Sequence, residues 1–120
     1  MTEDCIFCKL AKNEMPRNGI YENDNFFSVP DLNPLVEGHS LVISKKHFET
    51  VLDMPNTLGP ELFDCIKKTT IALMKIHDAE GFNLISNNYD ASGQEIKHVH
   101  FHILPRKKND GKMLNLINKK

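Results

Sequence analysis

Residues 98–104 read His-Val-His-Phe-His-Ile-Leu, and this alternation constrains the chain more than any other segment. In a β-strand successive side chains point to opposite faces. His98, His100 and His102 therefore fall on one face and Val99, Phe101 and Ile103 on the other. The apolar row can be buried. A row of imidazoles builds a core poorly, so the opposite face is where chemistry is expected. With six histidines in 120 residues, such a triplet arises by chance in only roughly one or two chains in a hundred.

The rest of the chain narrows the class. Its length suits one domain with a core of its own. A hydrophobic content of 40% and a charged content of 26% are those of an ordinary globular protein. The net charge of −1 leaves no basic field for a nucleic-acid backbone, so no nucleic-acid partner is expected. Met1-Thr2-Glu3-Asp4 is acidic where a secretory signal is basic and then apolar. No apolar run approaches the ~18 residues of a membrane span, so a cytoplasmic location with no membrane partner is expected. Cysteines are then reduced, and an odd number of them (Cys5, Cys8 and Cys65) argues against a disulfide framework.

Local patterns place the elements. Cys5 to Leu10 reads as a short helical or turn-rich piece ended at Met15-Pro16. Ile20–Glu22 and Asn25–Val29 read as strands joined at Asn23-Asp24, and Pro30 to Pro34 as a loop. His39–Ser44 reads as a central strand. Leu62, Ile66, Thr69, Leu73 and Ile76 form one apolar stripe of a long helix, capped by Asn56 or Thr57 and ended at Gly81. Phe82–Ser86 is the next strand, Asn87–Gly93 a loop, and the histidine strand follows. Cys65 is expected in the core and His77 at the solvent-facing end of the helix, beside its dipole. The short connections require antiparallel pairing, which makes the fold α+β, with one long helix on a sheet of about five strands. The domain is expected to span residues 1–106. A basic tail, 107–120, carries an apolar cluster at Met113, Leu114, Leu116 and Ile117 that packs on a dimer partner or lies free.

Three readings of the triplet compete: satisfied or surface histidines, a metal site, and nucleophilic catalysis by one imidazole helped by its neighbours. The loop Asn87-Asn88-Tyr89-Asp90-Ala91-Ser92-Gly93-Gln94 favours the third. Its amide and hydroxyl groups suit phosphate oxygens and leaving groups, and Gly93 permits close backbone approach.

On these residues the chain resembles the histidine triad (HIT) family, whose motif of three alternating histidines matches 98–104 in full. Cys5-Ile6-Phe7-Cys8-Lys9 is similar to the opening of its bacterial and Hint-like branch. Asp31 with His39 and Leu41-Val42-Ile43-Ser44-Lys45-Lys46-His47 resembles its second block, and Asn87 with Gly93-Gln94 its third. The resemblance covers roughly residues 4–106. It implies a nucleotide-binding fold whose sheet continues across a homodimer. It also implies that His100 attacks the α-phosphorus of a purine nucleotide, giving a nucleotidyl-histidine that water resolves. His102 and Gln94 serve the phosphate or leaving group, and His98 and His39 orient the site. Asp31, Leu32, His39, Asn87, Gly93, Gln94, His100 and His102 form the nucleotide site. Asp31 suits the ribose diol because an ionised carboxylate only accepts. Where many relatives carry Ser or Thr after Gly-Gln, this chain has Glu95, which cannot donate when ionised and repels phosphate. It either points away from the site or favours a cationic leaving group.

The C-x-x-C pair lacks the βαβ setting of a redox motif and supplies only two of the four ligands of a closed zinc site. The resemblance implies structural zinc on Cys5, Cys8, His47 and His98; the alternative is an unmetallated pair that packs the N-terminus. No organic cofactor is implied. The activity expected is hydrolysis or transfer at the α-phosphorus of a nucleoside phosphoramidate or acyl adenylate. The alternatives are a dinucleoside polyphosphate hydrolase, a regulatory or scaffold nucleotide binder with weak catalysis, and a zinc-dependent hydrolase ligated by the triplet. Because free imidazole titrates near ~6.5, activity is expected to fall in acid.

Overall fold

The computed structural model describes residues 4–111. Five strands form one antiparallel sheet: β1 (Tyr21–Glu22), β2 (Phe26–Pro30), β3 (Ser40–Ser44), β4 (Gly81–Ile85) and β5 (His100–Arg106), in the order β1-β2-β3-β5-β4. A short helix, α1 (Ile6–Ala11), precedes the sheet, and a long one, α2 (Gly59–Ile76), joins β3 to β4. The predicted α+β architecture is the one observed. No helix among the described residues is long and apolar enough to cross a membrane. The apolar cluster expected at 113–117 lies outside the described residues.

The two faces of the sheet have different cores. On one, Phe26, Val42 and Ile103 pack against Cys65, Ile66 and Leu73 of α2. On the other, Phe27, Val29, Leu41 and Ile43 pack under Phe7 of α1. Alternation explains the division: Leu41 and Ile43 stand opposite His102 and His100, while Val42 stands opposite Phe101. The imidazoles of β5 thus lie on the face away from α2.

Several local expectations are corrected. Pro30 is not in the loop but closes β2 opposite Ser40. Ser28 turns its carbonyl toward the β1 side, receiving Ile20 N–H. Pro30, two residues on, points its donorless nitrogen the same way, past the end of β1, and so forfeits no ladder bond. Asn56 and Thr57 do not cap α2; they belong to a 3-10 turn, Asn56–Leu58, that runs into it. Pro60 sits in the first turn of α2, where its missing N–H costs nothing. The apolar stripe holds at Ile66, Thr69 and Leu73, but Ile76 is 70% exposed at the helix end. Gly81 does not terminate α2. Asp78 takes the left-handed conformation (φ 52°) just past the helix, and Gly81 opens β4. Arg106 is the last residue of β5, its guanidinium held by Asp110 and Asn83.

His77 is not a solvated helix end. It is partly buried, 3.3 Å from Glu37 Oε2, with its ring against Gly38. Gly38 has φ 87°, and a Cβ there would lie 2.6 Å from His77 Cδ2, so only glycine fits. This contact ties the end of α2 to the loop leading into His39.

Candidate functional site

β3 and β5 lie side by side, and the loops after β2 and β4 fold over the same face of the sheet. Together they enclose a cleft of about 530 Å³ lined by Asp31, Leu32, His39, Asn87, Gly93, Gln94, His100 and His102. Every residue assigned above to the nucleotide site reaches this one cleft. Leu32 is 89% exposed at its mouth, with Leu35 beside it also exposed, an apolar lip flanking Asp31.

The three histidines do not share one role. β5 begins only at His100; ahead of it Val99 N–H donates to Phe48 O and His98 N–H to Ile96 O, so His98 lies outside the ladder. His98 is fully buried. Its Nε2 is 2.7 Å from the Ser44 carbonyl oxygen, which can only accept, so Nε2 carries the proton. The lone pair of Nδ1 then faces Cys5 Sγ at 3.2 Å and Cys8 Sγ at 3.5 Å. His47 Nδ1 is 3.2 Å from Cys8 Sγ, and the four ligand atoms lie within 4.8 Å of one another. Two sulfurs and two imidazole nitrogens at this separation suit a tetrahedral ion, and the carbonyl on the far nitrogen of His98 is the outer contact that orients such a ligand. Burial, reinforced by the neighbouring Cys5, pushes the Cys8 thiol up to about 11. Without a metal this cysteine is therefore a protonated thiol at neutral pH, which is unlike a reactive redox pair.

His100 is fixed the opposite way round. Its Nδ1 is 2.7 Å from the His98 carbonyl oxygen and must donate, which leaves Nε2 with a free lone pair. Burial lowers its pKa below the usual histidine value, so the ring stays neutral. Phe7, seated between the two cysteines, meets the His100 ring edge-on at 5.0 Å and the His98 ring at 5.8 Å. α1 thus braces both rings.

His102 receives its orientation from a chain of hydrogen bonds. Leu35 N–H donates to His39 Nδ1 at 3.0 Å, so a neutral His39 carries its proton on Nε2. That nitrogen is 2.9 Å from His102 Nδ1 and 3.3 Å from Asp31 Oδ2. His102 Nδ1 accepts, and its own proton sits on Nε2. Burial, with repulsion from His100 and His39, pushes the His102 pKa down to about 4. Burial likewise lowers His39, against the pull of Asp31. Two adjacent imidazoles of β5 therefore present opposite functions: a lone pair on His100 and a donor on His102.

Among the described residues, no potential metal-binding group contains more than one histidine of the triplet: His98 joins Cys5, Cys8 and His47, while His102 joins Asp31 and His39. A metal ligated by the whole triplet has no geometric basis.

The loop after β4 divides its amides. Asn88 is spent on Val51 N–H and Ser86. Gln94, 5% exposed, accepts from Tyr89 N–H at 2.6 Å and donates to Glu49 O at 2.6 Å and Ile96 O at 3.1 Å. The amide of Gln94, expected at the phosphate or leaving group, is engaged by backbone groups, and these bonds tie the loop together. Gly93 has φ 99°, and a Cβ there would lie 3.9 Å from Asn87 Nδ2. Asn87 itself makes no hydrogen bond to the described residues and is free to donate into the cleft. Ser44, Leu35 and Phe7 were not singled out from sequence. Only Phe7 had a signal, its place inside C-x-x-C.

The HIT domain family matches residues 12–109. The chain belongs to the HIT family. An uncharacterised HIT-like protein of Methanocaldococcus jannaschii is 41% identical over 92% of this chain and 84% of its own length. An adenylylsulfatase of Arabidopsis thaliana is 38% identical over 92% of this chain but 56% of its own length. An adenosine 5'-monophosphoramidase of Candida albicans is 34% identical over 86% of this chain and 70% of its own. Among solved structures, a HIT family protein of Bacillus subtilis superimposes with a TM-score of 0.87 at 31% identity, over 98% of this chain and 82% of that one. A Zn-bound histidine triad protein of Mycobacterium smegmatis does so with 0.85 at 29% identity, over 95% and 83%. The family includes proteins named as nucleotide hydrolases.

Proposed function

We propose that this HIT protein hydrolyses purine nucleoside phosphoramidates at the α-phosphorus through a nucleotidyl-histidine on His100. The observation that carries the reading is the hydrogen bond from His100 Nδ1 to the His98 carbonyl. It leaves Nε2 unprotonated toward the cleft and offsets the positive charge that develops on the ring during attack. In the first half-reaction the Nε2–P bond forms as the P–N bond breaks. His102 Nε2–H donates a hydrogen bond to the leaving nitrogen, and one proton enters from water to complete the free amine. In the second, water attacks phosphorus, releases the nucleoside monophosphate and returns the proton. Asp31 accepts from the ribose hydroxyls, the lip of Leu32 covers the base, and Asn87 with the Gly93 backbone holds phosphate oxygens.

Charge favours this substrate over a dinucleoside polyphosphate. Among the described residues the cleft lining contains no Lys or Arg, its histidines are neutral, and its two carboxylates are Asp31 and Glu95. Such a site offers little to a chain of anionic phosphates. Zinc on Cys5, Cys8, His47 and His98 would have four protein ligands and no open position, supplying a cross-link between α1 and the approach to β5. A homodimer would continue the sheet at the outer edge of β4, where Phe82 and Leu84 are exposed and which no described strand pairs; analytical ultracentrifugation tests this. The activity is tested with His100→Asn, which should keep AMP binding by calorimetry while hydrolysis of an adenosine phosphoramidate falls by about a thousandfold or more. Near-wild-type turnover in the variant overturns the mechanism.

A further inference from the structure

Glu95 is exposed, lines the cleft beside His100 and His102, and has no hydrogen-bond or ion-pair partner among the described residues. Its neighbour Lys97 is already engaged by Asp90, at 2.8 Å. The carboxylate also lines a second hollow of about 330 Å³, which shares Ile6, Glu95 and Ile96 with the cleft. The two spaces therefore lie on either side of one shared wall that includes Glu95. At the hollow's rim Asp4 adds a second carboxylate, also without a partner among the described residues.

We infer that this hollow receives the leaving group and that Glu95 selects for one carrying a distal positive charge, such as an aminoalkyl amine, over a neutral or anionic one. The inference rests on the phosphoramidase reading. Three features of the site point the same way. An unpaired carboxylate at the mouth of a low-dielectric cleft repels a second anion and attracts a cation. Lys97, the one Lys or Arg among the described residues that lines the hollow, is paired with Asp90 at 2.8 Å. The shared wall of Ile6 and Ile96 suits the methylene stem of a long amine, whose ammonium then reaches the Asp4–Glu95 rim.

The test uses the full chain and three adenosine 5'-phosphoramidates of equal linker length, ending in an ammonium, a carboxamide or a carboxylate. At low ionic strength the wild type should prefer the ammonium over the carboxylate substrate by about tenfold in kcat/KM, and the preference should shrink in high salt. Glu95→Gln should reduce that ratio severalfold, and Glu95→Lys should invert it. A merely structural role would change all three substrates together and leave the ratios alone. Turnover of all three at ratios that Glu95→Gln and Glu95→Lys do not move overturns the inference and leaves the phosphoramidase reading standing. No turnover of any of them overturns both.

Discussion

Replacing Gln94 with Ala separates a residue that touches substrate from one that holds the loop around it. In the structure its amide bridges Tyr89 N–H, Glu49 O and Ile96 O, joining three stretches of backbone at the cleft. Alanine removes all three bonds, and each is worth a net ~0.5–1.5 kcal/mol, more where a buried donor is orphaned. Tyr89 is 47% exposed, so water can reach part of what is left. The expected cost is then about 2–3 kcal/mol, which for a chain of this size lowers Tm by roughly 8–12 °C. Urea denaturation of wild type and variant measures it directly. The cleft should suffer secondarily: with Gly93 and Asn87 less firmly placed, kcat/KM should fall by about tenfold, mostly through KM. A variant as stable as wild type that loses about a hundredfold in kcat would refute this reasoning, because the amide would then be acting on the substrate itself.

Metal content provides a second check. Purified protein should carry one zinc per chain by elemental analysis, and Cys8→Ser should lose it; a strong chelator should lower Tm, and an unshifted Tm in a verified zinc-loaded sample contradicts a structural site. Phe7→Ala should destabilise the protein by about 3–5 kcal/mol and lower kcat, because the ring that braces His98 and His100 is gone. The pH profile follows from His102, which stays neutral until about 4 in the fold while the unfolded chain binds its proton near ~6.5. Its contribution to stability is therefore present above ~6.5 and lost as pH falls toward ~4. Activity should persist to lower pH than a free imidazole allows, because burial lowers both His100 and His102, whereas an acid limb centred near ~6.5 would mean the rings are solvated.

That last expectation revises the sequence-based one, and the reason shows what a sequence can and cannot hold. The strict alternation at 98–104 places His100 and His102 on one face, and the spacing of Asp31, His39, Asn87 and Gly93 matches the family closely enough to assemble the cleft. Burial of the imidazoles depends on Phe7, Leu41 and Ile43 arriving from distant segments, so the downward pKa shifts were not legible. Neither were the tautomers. They are set by the Ser44 and His98 carbonyls and the Leu35 amide, backbone groups that carry no sequence signature. The backbone bonds of Gln94 were not legible for a related reason: an amide side chain reads the same whether it meets a phosphate or a backbone. The ends of α2 were missed because local backbone geometry, a 3-10 turn ahead of it and a left-handed Asp78 after it, replaced the expected caps. Glu95 was the one departure visible from the start, and its meaning came only with the hollow beyond it.

The central claim is that His100 Nε2 forms a covalent bond to the nucleotide. It is tested most directly by mixing excess enzyme with an adenosine phosphoramidate, quenching in alkali within one turnover and measuring the intact mass. The account predicts a single added adenylyl group, mapped to the peptide spanning 98–106 and absent from His100→Asn. Turnover without any adduct, or an adduct that survives in His100→Asn, would contradict it.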